Sequence, residues 1–259
     1  KKITALVVIA VIAAYLLFWP VPIEPVAWQA PQAPALEGPY AVNDKLANVS
    51  QFGQGEGIGP EDVAIDDNGY FYVGYDDGRI VRFDPDGKHP DLIADTKGRP
   101  LGLDFAPSGN LIVADGYKGL LSISAAGAIT TLSDSANGLA YGFTDDVDVD
   151  SSGIAYFSDA SSKFGPAMHA RDDIMEHGGH GRLLRYDPGT EQAEVLLDGL
   201  QFANGVALSQ NEDFVLVTET GNGRAFELEP TGRIVWDFHS PHRAPGGGLR
   251  GEQVLWFRR

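Results

Sequence analysis

Cysteine is absent from the 259 residues, and methionine occurs only twice. Without a thiol there is no disulfide scaffold, no zinc ribbon and no cysteine nucleophile. Positive charge is scarce: 19 Lys and Arg stand against 36 Asp and Glu, a net charge of −17. Binding to nucleic-acid phosphates needs the opposite balance, so no nucleic-acid partner is expected. An acidic surplus instead suits a soluble surface and hard cations such as calcium. Familiar catalytic signatures are missing too: no G-x-S-x-G, H-E-x-x-H or G-x-x-x-x-G-K is present. The run GQGEGIG at 53–59 leads into no helical pattern, so it fails as a dinucleotide fingerprint. What the chain has in abundance is turn formers, 32 Gly and 16 Pro, with 43% hydrophobic residues. It can therefore bury a core, and it favours many short strands over long helices.

Three parts are legible. Residues 1–19 read KKITALVVIAVIAAYLLFW, two lysines followed by an uncharged stretch from Ile3 to Trp19. As a helix that stretch is roughly 25 Å long, at the short end of a membrane span. Bulky Tyr15 to Trp19, rather than an A-x-A-like site, follow the apolar run. The expectation is an uncleaved transmembrane signal-anchor, with Lys1 and Lys2 cytoplasmic and the rest on the periplasmic, lumenal or extracellular side. Residues 20–49 carry six prolines, from Pro20 to Pro39, and read as an extended Pro-rich linker. Asn48-Val49-Ser50 matches a glycosylation sequon, which matters only in a eukaryotic host.

Residues 50–259 form the third part, and it repeats. EDVAIDDNGYFYVG (61–74), LGLDFAPSGNLIVAD (101–115), DDVDVDSSGIAYFSD (145–159) and NGVALSQNEDFVLVTE (204–219) share a strand–turn–strand pattern. A second hairpin follows each, beginning at Gly78, Gly119, Gly181 and Gly223, spaced by 41, 62 and 42 residues. The wide middle gap implies an insertion near 160–180, and no helical period interrupts the pattern. A four-stranded unit every ~42 residues predicts a β-propeller blade.

The repeat register also points to a site. Eight residues before the turn position of each first hairpin stand Glu61, Leu101, Asp145 and Asn204. In a propeller these equivalent positions point together at one mouth of the central channel. Three of the four are oxygen donors, and Leu101 shows that the fold does not require polarity there. Carboxylates converging in a narrow channel repel, and a hard dication would resolve the conflict. Strand capping and bonding to neighbouring backbone would account for the same residues.

EDVAID, FTDDVDVDSSGIAYFSDASSKF, GRLLRYDPGT and LLDGLQFANGVALSQNEDFVLVTE resemble the strictosidine-synthase-like family, in the branch of adipocyte plasma-membrane-associated protein and its bacterial relatives. Paraoxonases and gluconolactonases are more distant kin. The resemblance covers about residues 20–225 and implies a six-bladed all-β propeller with Ca²⁺ in its channel. It implies a calcium-dependent hydrolase of ester or lactone substrates, held to a membrane by the N-terminal anchor. It places metal ligands on Glu61, Asp145 and Asn204, with Asp145 and Glu61 the candidate catalytic carboxylates. Asp145 departs from the family's Asn at that position.

After Gly223 the family pattern fades, and the Asp-Asn pair of later blades has no counterpart. About 210 residues follow the linker, whereas six blades need about 250. The expectation is four recognisable blades with the C-terminal ones truncated or divergent. The rival reading is therefore a non-catalytic propeller that binds a small ligand, or a protein partner at an open edge where the VLWF run near the C-terminus would sit. DVDVDSSG (146–153) lacks the Gly and Glu of an EF-hand loop and reads as alternating Asp on an exposed strand face. His169, His177 and His180 fall in the insertion, where a solvated loop is the expectation and a general base the alternative.

Overall fold

A computed structural model of the chain describes residues 2–18, 22–29, 35–38, 41–165, 171–229 and 231–240. His169 and the VLWF run lie outside these residues.

The repeats fold as expected, into four antiparallel four-stranded sheets. Blade one is β1 (Val63–Ile65), β2 (Phe71–Gly74), β3 (Arg79–Phe83) and β4 (Asp91–Asp95). Blade two is β5 (Pro100–Phe105), β6 (Leu111–Asp115), β7 (Gly119–Ile123) and β8 (Ile129–Ser133). A two-stranded ribbon, β9 (Ser135–Ala136) with β10 (Leu139–Ala140), precedes blade three. Blade three is β11 (Thr144–Val149), β12 (Ala155–Asp159), β13 (Gly181–Asp187) and β14 (Gln192–Leu200). Blade four is β15 (Ala203–Leu208), β16 (Val215–Glu219), β17 (Arg224–Leu228) and β18 (Ile234–His239). Within each blade the strands pair in sequence order, and the innermost strands β1, β5, β11 and β15 pack side by side from blade to blade.

The cores lie between successive sheets. Ala64, Ile80, Leu103 and Val113 pack blade one on blade two, Ile112, Leu120, Val147 and Phe157 pack two on three, and Leu183, Val206, Val217 and Phe226 pack three on four. Strands with a sheet on either side lose the polar alternation of a surface strand. LIVAD of β6 and AYFSD of β12 are buried at all five positions.

Face packing leaves one problem. Each innermost strand pairs on only one edge, so its other edge presents backbone N–H groups that need acceptors. Aspartates of the preceding blade accept them. Leu103 N donates to Asp62 Oδ2 at 2.9 Å and Val149 N to Asp104 Oδ2 at 2.9 Å. Val206 N donates to Asp146 Oδ2 and Leu208 N to Asp148 Oδ2, both at 2.8 Å. This corrects the reading of DVDVD as an exposed acidic face: Asp146 and Asp148 are half-buried and couple blade three to blade four. Gly102 belongs to the same junction, because a Cβ there would collide with Asp146.

The N-terminal segment forms helix α1 (Lys2–Phe18), apolar on every side, with no buried residue. It has the 17 residues expected of the apolar stretch, yet among the described residues no helix is long and apolar enough to cross a membrane. The Pro-rich stretch is not merely an extended spacer. Its residues 24–28 dock on a short helix in the insertion, α2 (Arg171–Glu176), which the strand pattern did not foreshadow.

The inter-blade aspartates predict a measurable cost. Asp62→Ala leaves the Leu103 amide without its charged acceptor, a loss of about 1.5–3 kcal/mol, while Asp62→Asn should lose less. Urea unfolding midpoints of the two variants check the order.

Candidate functional site

The strand directions define two ends. Inner strands begin at the end where the β2–β3, β6–β7, β12–β13 and β16–β17 connections lie, and the insertion with α2 sits at that end. The register places the four sequence-derived positions on one rung there. Val63 pairs with Val73, Leu103 with Val113, Val147 with Phe157 and Val206 with Val217. Glu61, Leu101, Asp145 and Asn204 each stand two residues before those apolar anchors. In blades two, three and four the rung residue occupies a β-bulge, between Pro100 and Leu103, Thr144 and Val147, and Ala203 and Val206. A bulge frees its residue from the ladder and re-aims the side chain.

Asp145 is 3% exposed, and no hydrogen-bond partner reaches its Oδ2 among the described residues. Burial pushes its pKa well above the usual carboxylate range, repulsion from Glu61 and Asp146 adds to that, and Arg99 opposes. Glu61 keeps 42% of its side chain exposed, and partial desolvation still raises its pKa against the pull of Arg99. The two acids therefore feel each other across the mouth. Asn204 enters on the neighbouring inner strand, its carbonyl accepting from Ser158 Oγ at 2.6 Å. Leu101 fills the remaining position and is 1% exposed. The donors on the rung are all oxygen, the set a hard dication takes, and a buried oxygen without a partner stands among them.

Arg99 was not found by the register count. Its guanidinium lies 3.7 Å from Glu61 and 3.3 Å from Asp76, and Nη1 donates to the Gly59 carbonyl at 2.9 Å. It brings one positive charge to an acidic mouth.

A second row of acids fixes the backbone that carries the rung. Asp115, Asp159 and Glu219 close the second strand of blades two, three and four, all essentially inaccessible. Asp115 Oδ1 accepts from the amides of Arg99, Tyr117 and Lys118. Asp159 Oδ1 accepts from Gly142 and Phe143, and Glu219 Oε1 from Gln201. Each thus pins the loop entering its own inner strand. The second oxygen of Asp159 pairs with Arg182 at 2.6 Å, and that of Glu219 with Arg224 at 2.8 Å, from the cross-strand position. Opposite Asp115 the residue is Gly119, and Asp115 Oδ2 has no partner among the described residues. In blade one Tyr75 takes the acid's place, with Arg79 over its ring. The signal was in the sequence: three of the four repeats quoted above end on an acid.

His177 and His180 are held rather than solvated. His180 Nε2 lies 2.6 Å from Glu176, and His177 Nε2 lies 3.1 Å from Asn222 Oδ1. Glu176 is buried, yet Lys163, His180 and the backbone amide of Glu24 outweigh the burial and hold its pKa at about 2. Trp28 packs on the His177 ring at 4.6 Å, and Val26 N donates to the Glu176 carbonyl at 2.8 Å. At the opposite end, Asp84, Asp86 and His89 lie close enough to share an ion, but on an exposed turn where Lys88 already pairs with Asp86. That end also carries a cleft of about 560 Å³ lined by Asp66, Phe105, Val149 and Glu212, away from the rung.

Two outcomes follow. Arg182→Met strands Asp159 in the core without its counter-charge, which costs about 3–5 kcal/mol; the melting curve of the variant measures it. Because the Glu176 pKa lies below its ordinary value, the docking it supports is intact above about pH 4.5 and is lost as pH falls towards about 2. Amide exchange at Glu24 and Val26 through an acid titration follows that release.

The strictosidine synthase family model matches residues 145–234, and the strictosidine synthase-like N-terminal model matches residues 38–83. Protein strictosidine synthase-like 6 of Arabidopsis thaliana is 40% identical over 190 residues, covering 70% of this chain and 51% of that protein. The human adipocyte plasma membrane-associated protein is 36% identical over 232 residues, covering 82% of this chain and 54% of that one. The chain thus spans about half the length of these curated relatives. Among solved structures, a gluconolactonase from Xanthomonas campestris superposes with a TM-score of 0.57 at 20% identity, over 70% of this chain and 61% of that one. A calcium-binding regucalcin from Agrobacterium tumefaciens gives 0.55 at 14% identity, over 70% and 59%. These two likenesses concern the fold alone. Together with the family models on two separate stretches, the relatives place this chain in the strictosidine synthase-like family.

Proposed function

We propose that the chain is a calcium-dependent hydrolase of ester or lactone substrates, working at the mouth of a six-bladed-type propeller. The observation that carries this reading is the buried Asp145 carboxylate, with an orphan oxygen and Glu61 repelling it from the same rung. Such an arrangement is costly unless a cation belongs there. Glu61, Asp145 and Asn204 would hold calcium, which when bound supplies a Lewis acid for the substrate carbonyl and its developing oxyanion. The gluconolactonase and regucalcin names of the structural neighbours agree with both halves of the reading.

The chain's own groups do the rest. A carboxylate has two oxygens, so Asp145 can serve as ligand through one and accept the proton of an attacking water through the other. Glu61 is the alternative acceptor. Arg99 holds the mouth's charge in balance beside Glu61. Leu101 closes one side of the rung with methyl groups and keeps water from it.

We further propose that α1 is the membrane anchor, with the propeller on the periplasmic, lumenal or extracellular side. Eleven of its large apolar side chains would be left in water otherwise, and the name of the adipocyte relatives points the same way. A 17-residue helix can be matched by local thinning of the bilayer.

Arg99 favours a second reading. A guanidinium 3.7 Å from Glu61 already answers part of the negative charge. A ligand-binding propeller without catalysis would need no more than that. Calcium separates the two readings. Saturating calcium at 100 times Kd should stabilise the parent by about 2.7 kcal/mol, seen as a higher Tm. Glu61→Gln and Asp145→Asn should lose that shift, and phenyl acetate and γ-lactone turnover should stop with chelator. Turnover that ignores chelator ends the metal mechanism, and neither calcium shift nor turnover leaves the binding module.

A further inference from the structure

Residues 24–28 of the Pro-rich stretch dock at the same end of the propeller as the rung. Glu24 N donates to Glu176 Oε2 at 2.7 Å and Val26 N to the Glu176 carbonyl at 2.8 Å. Trp28 lies against His177. The platform beneath this strap is built into the rim. Ser161 Oγ donates to Asp173 Oδ2 at 2.5 Å, both Glu176 oxygens bind Lys163 Nζ, and His177 reaches Asn222 between β16 and β17. Asp173 and Glu176 are buried, so the strap meets a fixed surface, not a mobile loop.

The tether to that surface is short. Phe18 ends α1, and Glu24 is already docked six residue steps later. Six steps of extended chain reach at most about 20 Å. The helix itself is apolar all round with no buried residue, which suits a lipid surround. Had the chain left α1 for the opposite end, it would have had to cross the height of a blade first.

We propose that the strap turns the rung-bearing mouth towards the bilayer, so that the site draws amphiphilic esters or lactones from the membrane surface. The orientation rests on the strap, the tether and the reading of α1 as the membrane anchor; the substrate clause rests on the hydrolase reading above. The partner is the lipid surface, and the side that faces it is fixed by Glu176 and His177. Charge does not set this orientation: at −17 the chain gains nothing from an anionic leaflet.

The absence of cysteine makes the test clean. Lys118→Cys and Ala126→Cys place one fluorophore at either end of the exposed turns flanking β7, on the mouth side and the far side. They are separated by up to about 25 Å along the strand direction. The full chain is reconstituted in phosphatidylcholine vesicles carrying a headgroup acceptor. Energy transfer should be about twofold or more stronger from position 118 than from position 126, given that separation. Equal transfer, or stronger transfer from 126, overturns the orientation. Val26→Pro with Trp28→Ala removes one strap donor and the ring contact without touching the propeller, and it should erase the difference at unchanged Tm. A difference that survives this double variant overturns the role of the strap. For the substrate clause, a long-chain 4-nitrophenyl ester in the same vesicles should lose turnover several-fold in the double variant, while phenyl acetate in detergent is unaffected. Equal loss on both substrates overturns the clause. If neither substrate is turned over by the parent, the hydrolase reading and its substrate clause fail, and the label result still decides the orientation.

Discussion

Among the described residues, each four-stranded sheet ends, on its inner side, in a strand with one unpaired edge. Stacking sheets face to face buries that edge without pairing it, and a buried unpaired amide is expensive. The carboxylates of Asp62, Asp104, Asp146 and Asp148 answer it by reaching across to the next blade. Hydrophobic cores hold the blades together, but these bonds fix their relative height. The rung is level for that reason: Glu61, Asp145 and Asn204 share a tier because the strands carrying them cannot slide.

The acidic composition takes on structural meaning in this light. Part of the negative charge faces solvent, as in the turns that carry Asp67 and Asp213. Another part is interior and divides by role. One group joins blades, a second pins loops through Asp115, Asp159 and Glu219, and a third converges at the mouth. Arginines accompany Asp159 and Glu219 from the adjacent strand and answer their charge on site, whereas Asp115 faces Gly119. The third group has Arg99 beside it among the described residues, and its acids have raised pKa values, Asp145 through burial and repulsion from Glu61 and Asp146, Glu61 through partial desolvation and the neighbouring Asp62.

The blades were legible because each repeat writes its own hairpins in Gly, Asp and Pro, and the rung because a register count survives wherever the hairpins keep their length. The count found Asp145 and Asn204 without knowing that both sit in bulges. It did not find Arg99, which lies two residues upstream of a leucine and reaches Glu61 through its long side chain. Alternation misled at DVDVD: a strand between two sheets has no solvent face, and its polar residues point to a neighbouring backbone instead. The docked strap was not legible either. Pro20 to Pro39 suggest an extended chain, and nothing local in VPIEPVAW announces that its amides have partners 150 residues away.

The bulge at the rung has a historical consequence. The residue there is released from the ladder, while its flanks are tied by an acid from the same blade and by a backbone N–H that donates to an aspartate of the previous one. A substitution at such a site changes chemistry with little change in scaffold. Blade two already displays one alternative, a leucine, and blade three another, a carboxylate where the family resemblance leads one to look for an amide. A lineage can therefore exchange ligands, bases or inert methyls at this tier one blade at a time. Divergence of activity within an unchanging architecture is what such a mouth permits.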